Sequence, residues 1–349
     1  PWYTITYSKG FYHSNNESMK QLSITLSAFV VLFLLLILGT CQDVFKIKLL
    51  FEALFHFNPQ SIDDLIWIEI RLPRLILAFF TGAALGLSGY LMQVLVRNPL
   101  ADPYVLGSSS GASLFAAIFY VWLAPNNSSI ALLLMLTFVG ALSTNLISLA
   151  LSTVKGKIIS YRMILVGISI SSLAIAVLSL LMYTTGEDQS WKSIIFWTFG
   201  SFQTASWFKV LLMTFFIFIL GGISFFFFAP FQIMELGEEN ANRLGVSVHK
   251  FRIVILLISS LLTAMAVSMV GPIGFIGLIM PHITRMLFRN QLTKSFIPWL
   301  CYFSGIFLLI CEMISSQLFP PQGVPAGILM SLVGVPFFLY LLLKSSDIN

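Results

Sequence analysis

Residues 71–112 read RLPRLILAFFTGAALGLSGYLMQVLVRNPLADPYVLGSSSGA, and this stretch decides the fold class. From Pro73 to Val96 the chain is apolar for the roughly 20 residues that a helix needs to cross the hydrocarbon core of a bilayer. Arg71 and Arg74 stand at its entry and Arg97 at its exit. A second apolar segment opens in the Gly/Ser-rich run that follows. Backbone polar groups cannot be left unpaired in lipid, so such a segment spans as a helix.

The rest of the chain repeats this pattern. Of 349 residues, 58% are hydrophobic and only 9% charged, against about 25% charged in an ordinary soluble domain. So few charges cannot keep the surface of a soluble protein of this size wet. The expected fold is all-α and polytopic, with about ten spans at 22–40, 73–96, 107–124, 130–153, 161–184, 206–228, 251–271, 274–289, 296–318 and 325–343. The segment 190–202, SWKSIIFWTFGSF, is too short to span and reads as an amphipathic helix along a membrane face. Residues 1–18 are a polar leader unlike anything after it, and residues 19–349 form the membrane domain.

The net charge of +5 is spread in ones and twos between apolar runs. This suits loop anchors and not a nucleic-acid surface. Cys41, Cys301 and Cys311 have no metal-ligand spacing. With the start of the first span in the cytoplasm, Lys46, Lys48, Arg71, Arg74, Lys192 and Lys209 fall outside and the other thirteen Lys and Arg inside. The positive-inside rule then places both termini in the cytoplasm.

The longest inner connection is 229–250, APFQIMELGEENANRLGVSVHK. Its acids come first and its cations last, the order that suits one or two short helices, with Gly245 as a C-terminal cap. A structured loop of this kind is more than two spans need for a link, and it reads as a docking element for a soluble partner.

Catalytic and nucleotide-binding signals are missing from the sequence. No G-x-x-x-x-G-K-[ST] occurs, and GSSSGAS at 107–113 has no lysine, so it reads as small residues for close helix contact. ATP-driven work therefore needs a partner, and no cofactor is expected on this chain. His282 has no second ligand at helical spacing. Glu312 is the one ionisable group well inside a span. A proton carrier needs a second group to hand its proton to, so Glu312 is expected to be structural, near the outer end or bonded to Ser315 or a facing helix.

Four stretches carry a family resemblance. Residues 71–112, LGEENANRLGV (236–246), GPIGFIGLIMPHITRMLF (271–288) and PAGILMSLVGVPFFLYLLLK (325–344) closely resemble the signature segments of FecCD-type ABC importer permeases. Their order along the chain matches the family's, over residues 22 to 344. That family takes up iron siderophores, haem and cobalamin. The resemblance implies a ten-span permease in a prokaryotic cell membrane, paired with a second copy or a paralogue. It implies two cytoplasmic ABC ATPase subunits, which carry the ATP and Mg, and an extracytoplasmic binding protein.

The implied roles fall on matching residues. Gly237, Glu238, Ala241, Arg243, Leu244 and Gly245 look like the helices that seat in the ATPase. Asn98-Pro99-Leu100 resembles the turn that narrows the path on the cytoplasmic side, with Ser160 and Tyr161 at a second constriction. Arg71 and Arg74 match arginines that meet acids on the binding protein. Ser316 and Gly323 stand where the family often has an arginine and a Glu-Leu-Pro, so the outer surface has one cation fewer. The function implied is uptake of ferric siderophore or haem. The alternatives are the same importer type for cobalamin or an oxyanion, an ion-coupled secondary transporter, and an intramembrane enzyme.

Overall fold

The computed structural model describes residues 30–37, 39, 61–124, 129–154, 157–158, 160–185, 189–288, 295–319 and 323–346. The polar leader and most of the expected first span lie outside them; residues 30–37 are helical. The described chain is helical apart from one two-residue antiparallel pairing, β1 (Thr153–Val154) with β2 (Lys157–Ile158).

The chain divides into two compact units, 1–72 and 73–349. In the first, α1 (Ile62–Leu65) starts at Ser61, whose hydroxyl accepts from the Asp64 N–H. Asp63 and Asp64 lie in its first turn, where the helix dipole favours anions. The helix widens into a π turn over Ile66–Arg71, and buried Trp67 packs with Ile37, Ile66 and Ile68.

The second unit is built from α2 (Leu72–Val96), α3 (Ser108–Ile118), α4 (Ile130–Ser152), α5 (Ser160–Thr185), α6 (Gln189–Thr198), α7 (Trp207–Phe226), α8 (Phe228–Glu235), α9 (Glu238–Arg243), α10 (Val248–Val270), α11 (Ile276–Leu287), α12 (Phe296–Gln317) and α13 (Ala326–Ser346). Each of the nine spans expected from residue 73 onward finds its helix, and α6 forms where the amphipathic segment was expected. Six helical runs are long and apolar enough to cross a membrane: Ile62–Val96, Ile130–Ser152, Tyr161–Thr185, Trp207–Phe226, Val248–Val270 and Phe296–Gln317. Ser108–Leu123, Ile276–Leu287 and Ala326–Tyr340 are apolar but shorter. The chain is a multi-pass membrane protein.

Burial within this unit does not follow hydropathy. The spans containing α2 and α10 are 83% and 78% buried in the protein, whereas α5 is 11% buried. Lipid is as apolar as leucine, so buried helices are selected for close fit and polar glue rather than for hydrophobicity. Ser88 of α2 supplies the glue, sharing hydrogen bonds with the Ser259 and Thr263 hydroxyls of α10 at 2.8 and 2.6 Å. Gly89 supplies the fit, since a Cβ there would stand 1.9 Å from the Gly277 carbonyl oxygen of α11. The backbones of α2 and α11 thus touch directly.

Candidate functional site

The long inner loop folds as two short helices, within the range expected. Buried Phe228, Phe231 and Met234 anchor α8 to the core. Gly237, at φ 103° and ψ 158°, turns the chain into α9 through backbone space that side chains rarely allow. Glu238 and Glu239 occupy the first turn of α9 and Arg243 the last. Gly245, at φ 79°, ends it: its N–H donates to the Asn242 carbonyl at 3.1 Å, and the Val246 N–H reaches back to the Ala241 carbonyl at 2.9 Å. That is the glycine-dependent helix stop its position suggested. Ala241 is buried beneath α9, while Leu236 and Leu244, one on each side of it, are more than 60% exposed.

Glu238 does more than face outward. One carboxylate oxygen accepts from Arg97 at 2.6 Å and from Arg252 at 2.5 Å. Arg97 stands one residue past α2 and Arg252 lies near the start of α10, so α9 is tied to two core helices at once. Beside it, Glu235 of α8 pairs with Arg285 of α11 at 3.0 Å. Arg285 also donates to Gln93 of α2 at 2.6 Å and lies over the Tyr90 ring. Sequence reading counted Arg97, Arg252 and Arg285 only as inner anchoring charges. Their partners lie 14 to 192 residues away in sequence, beyond any local pattern.

The expected narrowing turn follows directly on Arg97. The Asn98 N–H donates to the Gln93 carbonyl at 3.3 Å, and the Asn98 side chain accepts from the Leu100 N–H at 2.9 Å. Proline at 99 fits this short turn. Asp102 then caps a 3-10 turn at Pro103–Leu106, accepting from the Tyr104 N–H at 2.7 Å. Burial pushes the Asp102 carboxyl up to about 6, against the opposing pull of that N–H. Tyr161 is exposed at the start of α5, next to Ser160. Further along α5, Gly167 lets the Val105 carbonyl of the 3-10 turn come close.

At the other end of α2, Arg74 and Glu312 of α12 form an ion pair. Glu312 is 1% exposed, and its second carboxylate oxygen has no hydrogen-bond partner among the described residues. Of the expected arrangements for Glu312, the facing helix is the one observed. Ser315 is not its partner; that hydroxyl donates to the Val324 carbonyl. Arg74, expected at a docking surface, thus also neutralises a buried acid. Arg71 lies part-buried in the π turn of the first unit.

Lys209, counted among the outer cations, is buried at the start of α7. Its ammonium donates to the Thr204 hydroxyl at 2.8 Å and to the Met269 carbonyl at 2.9 Å. It satisfies a carbonyl in the last turn of α10, the end of a helix where a cation is favoured. A cavity of about 740 Å³ opens nearby, with Tyr104, Ser109, Phe199, Pro272 and Ser331 in its wall.

Comparison with known proteins covers the same ground from end to end. The hemin transport system permease protein HmuU of Yersinia pestis is 33% identical, over 94% of this chain and 97% of that protein. The Fe(3+)-citrate import system permease protein YfmD of Bacillus subtilis is 30% identical, over 97% of this chain and 100% of that protein. A metal-chelate type ABC transporter, solved in an inward-facing conformation, superposes with a TM-score of 0.79 at 26% identity, over 92% of this chain and 99% of that one. The sequence profile of the FecCD transport family matches residues 28–344, a range that holds α2, the Asn98–Leu100 turn and the α8–α9 loop alike, and the chain therefore belongs to the FecCD transport family.

Proposed function

We propose that this protein is the permease subunit of an ATP-driven ABC importer for metal chelates, with ferric siderophore or haem as its cargo. The observation that carries the reading is the α8–α9 loop of a FecCD-family chain. Its second helix is bounded by glycines at positive φ, Gly237 and Gly245, pinned to the core by Ala241 and Glu238, and flanked by the bare Leu236 and Leu244. An exposed apolar pair on a rigid, tethered helix suits insertion into a cleft of a soluble partner. In this reading ATP and Mg are held by that partner, an ABC ATPase, and the chain itself catalyses nothing.

The rest of the machinery follows the same reading. A loaded binding protein docks at the outer face, where Arg71 and Arg74 offer positive charge. Closure of the ATPase pair displaces α9, the path opens at one end, and the Asn98–Leu100 turn with Ser160 and Tyr161 narrows it at the other. A second permease copy or paralogue completes the path. Cargo selection belongs mainly to the binding protein. Relatives named for hemin and for ferric citrate match this chain almost equally well.

The test is reconstitution in vesicles with the ATPase and the binding protein. Loaded binding protein should raise ATP hydrolysis, and haem or a ferric siderophore should enter only with ATP. Stimulation by cobalamin alone would move the cargo assignment within the same importer type. Substrate uptake by the isolated chain driven by an ion gradient would instead establish the secondary-transporter reading. Docking is best probed with Arg71→Glu alone, because Arg74→Glu would also set two acids against each other at Glu312. Arg71→Glu should weaken binding-protein affinity, most at low salt.

A further inference from the structure

Arg97 occupies a position that favours glycine. It stands one residue past α2 with φ 54°, in the left-handed region, and the Asn98 N–H closes back onto Gln93 across it. This is the helix-ending geometry in which glycine has no steric cost and a long side chain does. A residue placed against its backbone preference is there for its side chain. The Arg97 guanidinium crosses to Glu238, 141 residues on, and rests beside Gly237. Immediately after Arg97, the Asn98 side chain locks the Leu100 N–H, so the turn moves as one piece with it. Arg252 holds the same Glu238 oxygen from α10. The tether is thus a three-residue junction at which α2, α9 and α10 meet.

We infer that Arg97 is a positioning residue for transport: through Glu238 it converts displacement of α9 into movement of the Asn98–Leu100 turn. The inference rests on the importer reading above. A rigid tether fits this role because α9 has little other hold on α2, and an ion pair with about 40% exposure on both sides adds little to stability. Its value lies in directing motion rather than in holding the fold.

Glycine at position 97 separates the two roles. Arg97→Gly relieves the backbone and removes only the guanidinium. The readout is a bimane fluorophore on Leu100→Cys, in a chain whose own cysteines are alanine, within the full complex of permease, ATPase and binding protein. ATP with vanadate should shift the bimane signal in the parent complex. Arg97→Gly should cut that shift about fivefold or more, the low end of measured coupling between sites, while assembly and thermal stability stay as they were. Arg97→Lys, which keeps the charge, should retain part of the shift. An undiminished shift in Arg97→Gly overturns the inference. So does a parent complex that assembles and hydrolyses ATP without moving the fluorophore. If the chain assembles with no ABC ATPase, the importer reading itself falls, and this inference with it.

Discussion

The two ends of α2 are held by the same chemistry in different surroundings. At one end Arg74 meets Glu312, which is almost wholly buried; at the other Arg97 meets Glu238, which is nearly half exposed. The helix between them is 25 residues long, about 37 Å at 1.5 Å per residue. A carboxylate taken out of water without a cation is expensive, so the Glu312 pair is required once the acid is there. The Arg97–Glu238 pair is exposed to water and salt and contributes little energy to the fold, so its value lies in joining the loop to α2. Burial, and not the residue types, separates a tie the fold requires from one that adds little to its stability.

This comparison breaks most directly at its buried end. Arg74→Ala strands Glu312 and should cost about 3 kcal/mol, the low end for removing one partner of a buried pair. Thermal unfolding in detergent measures it. Adding Glu312→Gln to the same chain should return most of the loss, since the amide carries no charge to strand. A single variant as stable as the parent would show that Glu312 is not held by Arg74. Glu312→Gln alone should leave ATP-driven uptake and its pH profile unchanged.

At the exposed end, backbone geometry should matter more than charge. Gly245→Pro replaces a residue at φ 79° by one fixed near −65° and removes the N–H bonded to Asn242. It should cost more than about 1 kcal/mol and abolish co-purification with the ATPase. Unchanged co-purification would remove the loop from the docking surface.

Asp102, five residues beyond Arg97, sharpens the contrast because its part-buried carboxylate is held by the Tyr104 backbone N–H. Its folded pKa of about 6 lies above the ordinary carboxylate value. The proton is therefore bound more tightly in the folded state. The stabilisation from protonating it is complete below about pH 4 and is lost as pH rises through 6. Relative to Asp102→Asn, which keeps the acceptor for the Tyr104 N–H, the parent should gain stability as pH falls from 6 to 4. A constant difference across that window would contradict the assignment.

The smallest effect belongs to Arg97→Gln, which leaves Glu238 with Arg252. Its stability change should be about 1 kcal/mol or less and should shrink further in 1 M salt, where the screening length is about 3 Å. A loss as large as that of Arg74→Ala would erase the difference between the two ends.

Much of this architecture was legible before any coordinates. The apolar run from Leu75 to Val96 must be a helix in lipid, and Gly245 after a charged, acid-first segment marks a helix stop. These are local properties, set by the backbone's need for hydrogen bonds and by glycine's freedom at positive φ. Glu312 could be read as structural from the want of a second group, but its partner could not be named. Arg74 lies 238 residues away, and nothing in the spacing of either residue points to the other.

The sequence by itself thus determined the fold class, the order of the spans, the family and the loop that reads as a docking element. Only the tertiary structure decided which charges are buried, that Lys209 closes α10, that α2 is tied at both ends, and that Arg97 joins the loop to the turn. The physical reason is that hydrogen bonding and hydropathy act along the chain and leave a periodic trace. Ion pairing acts through space between helices, and its partners are chosen by packing.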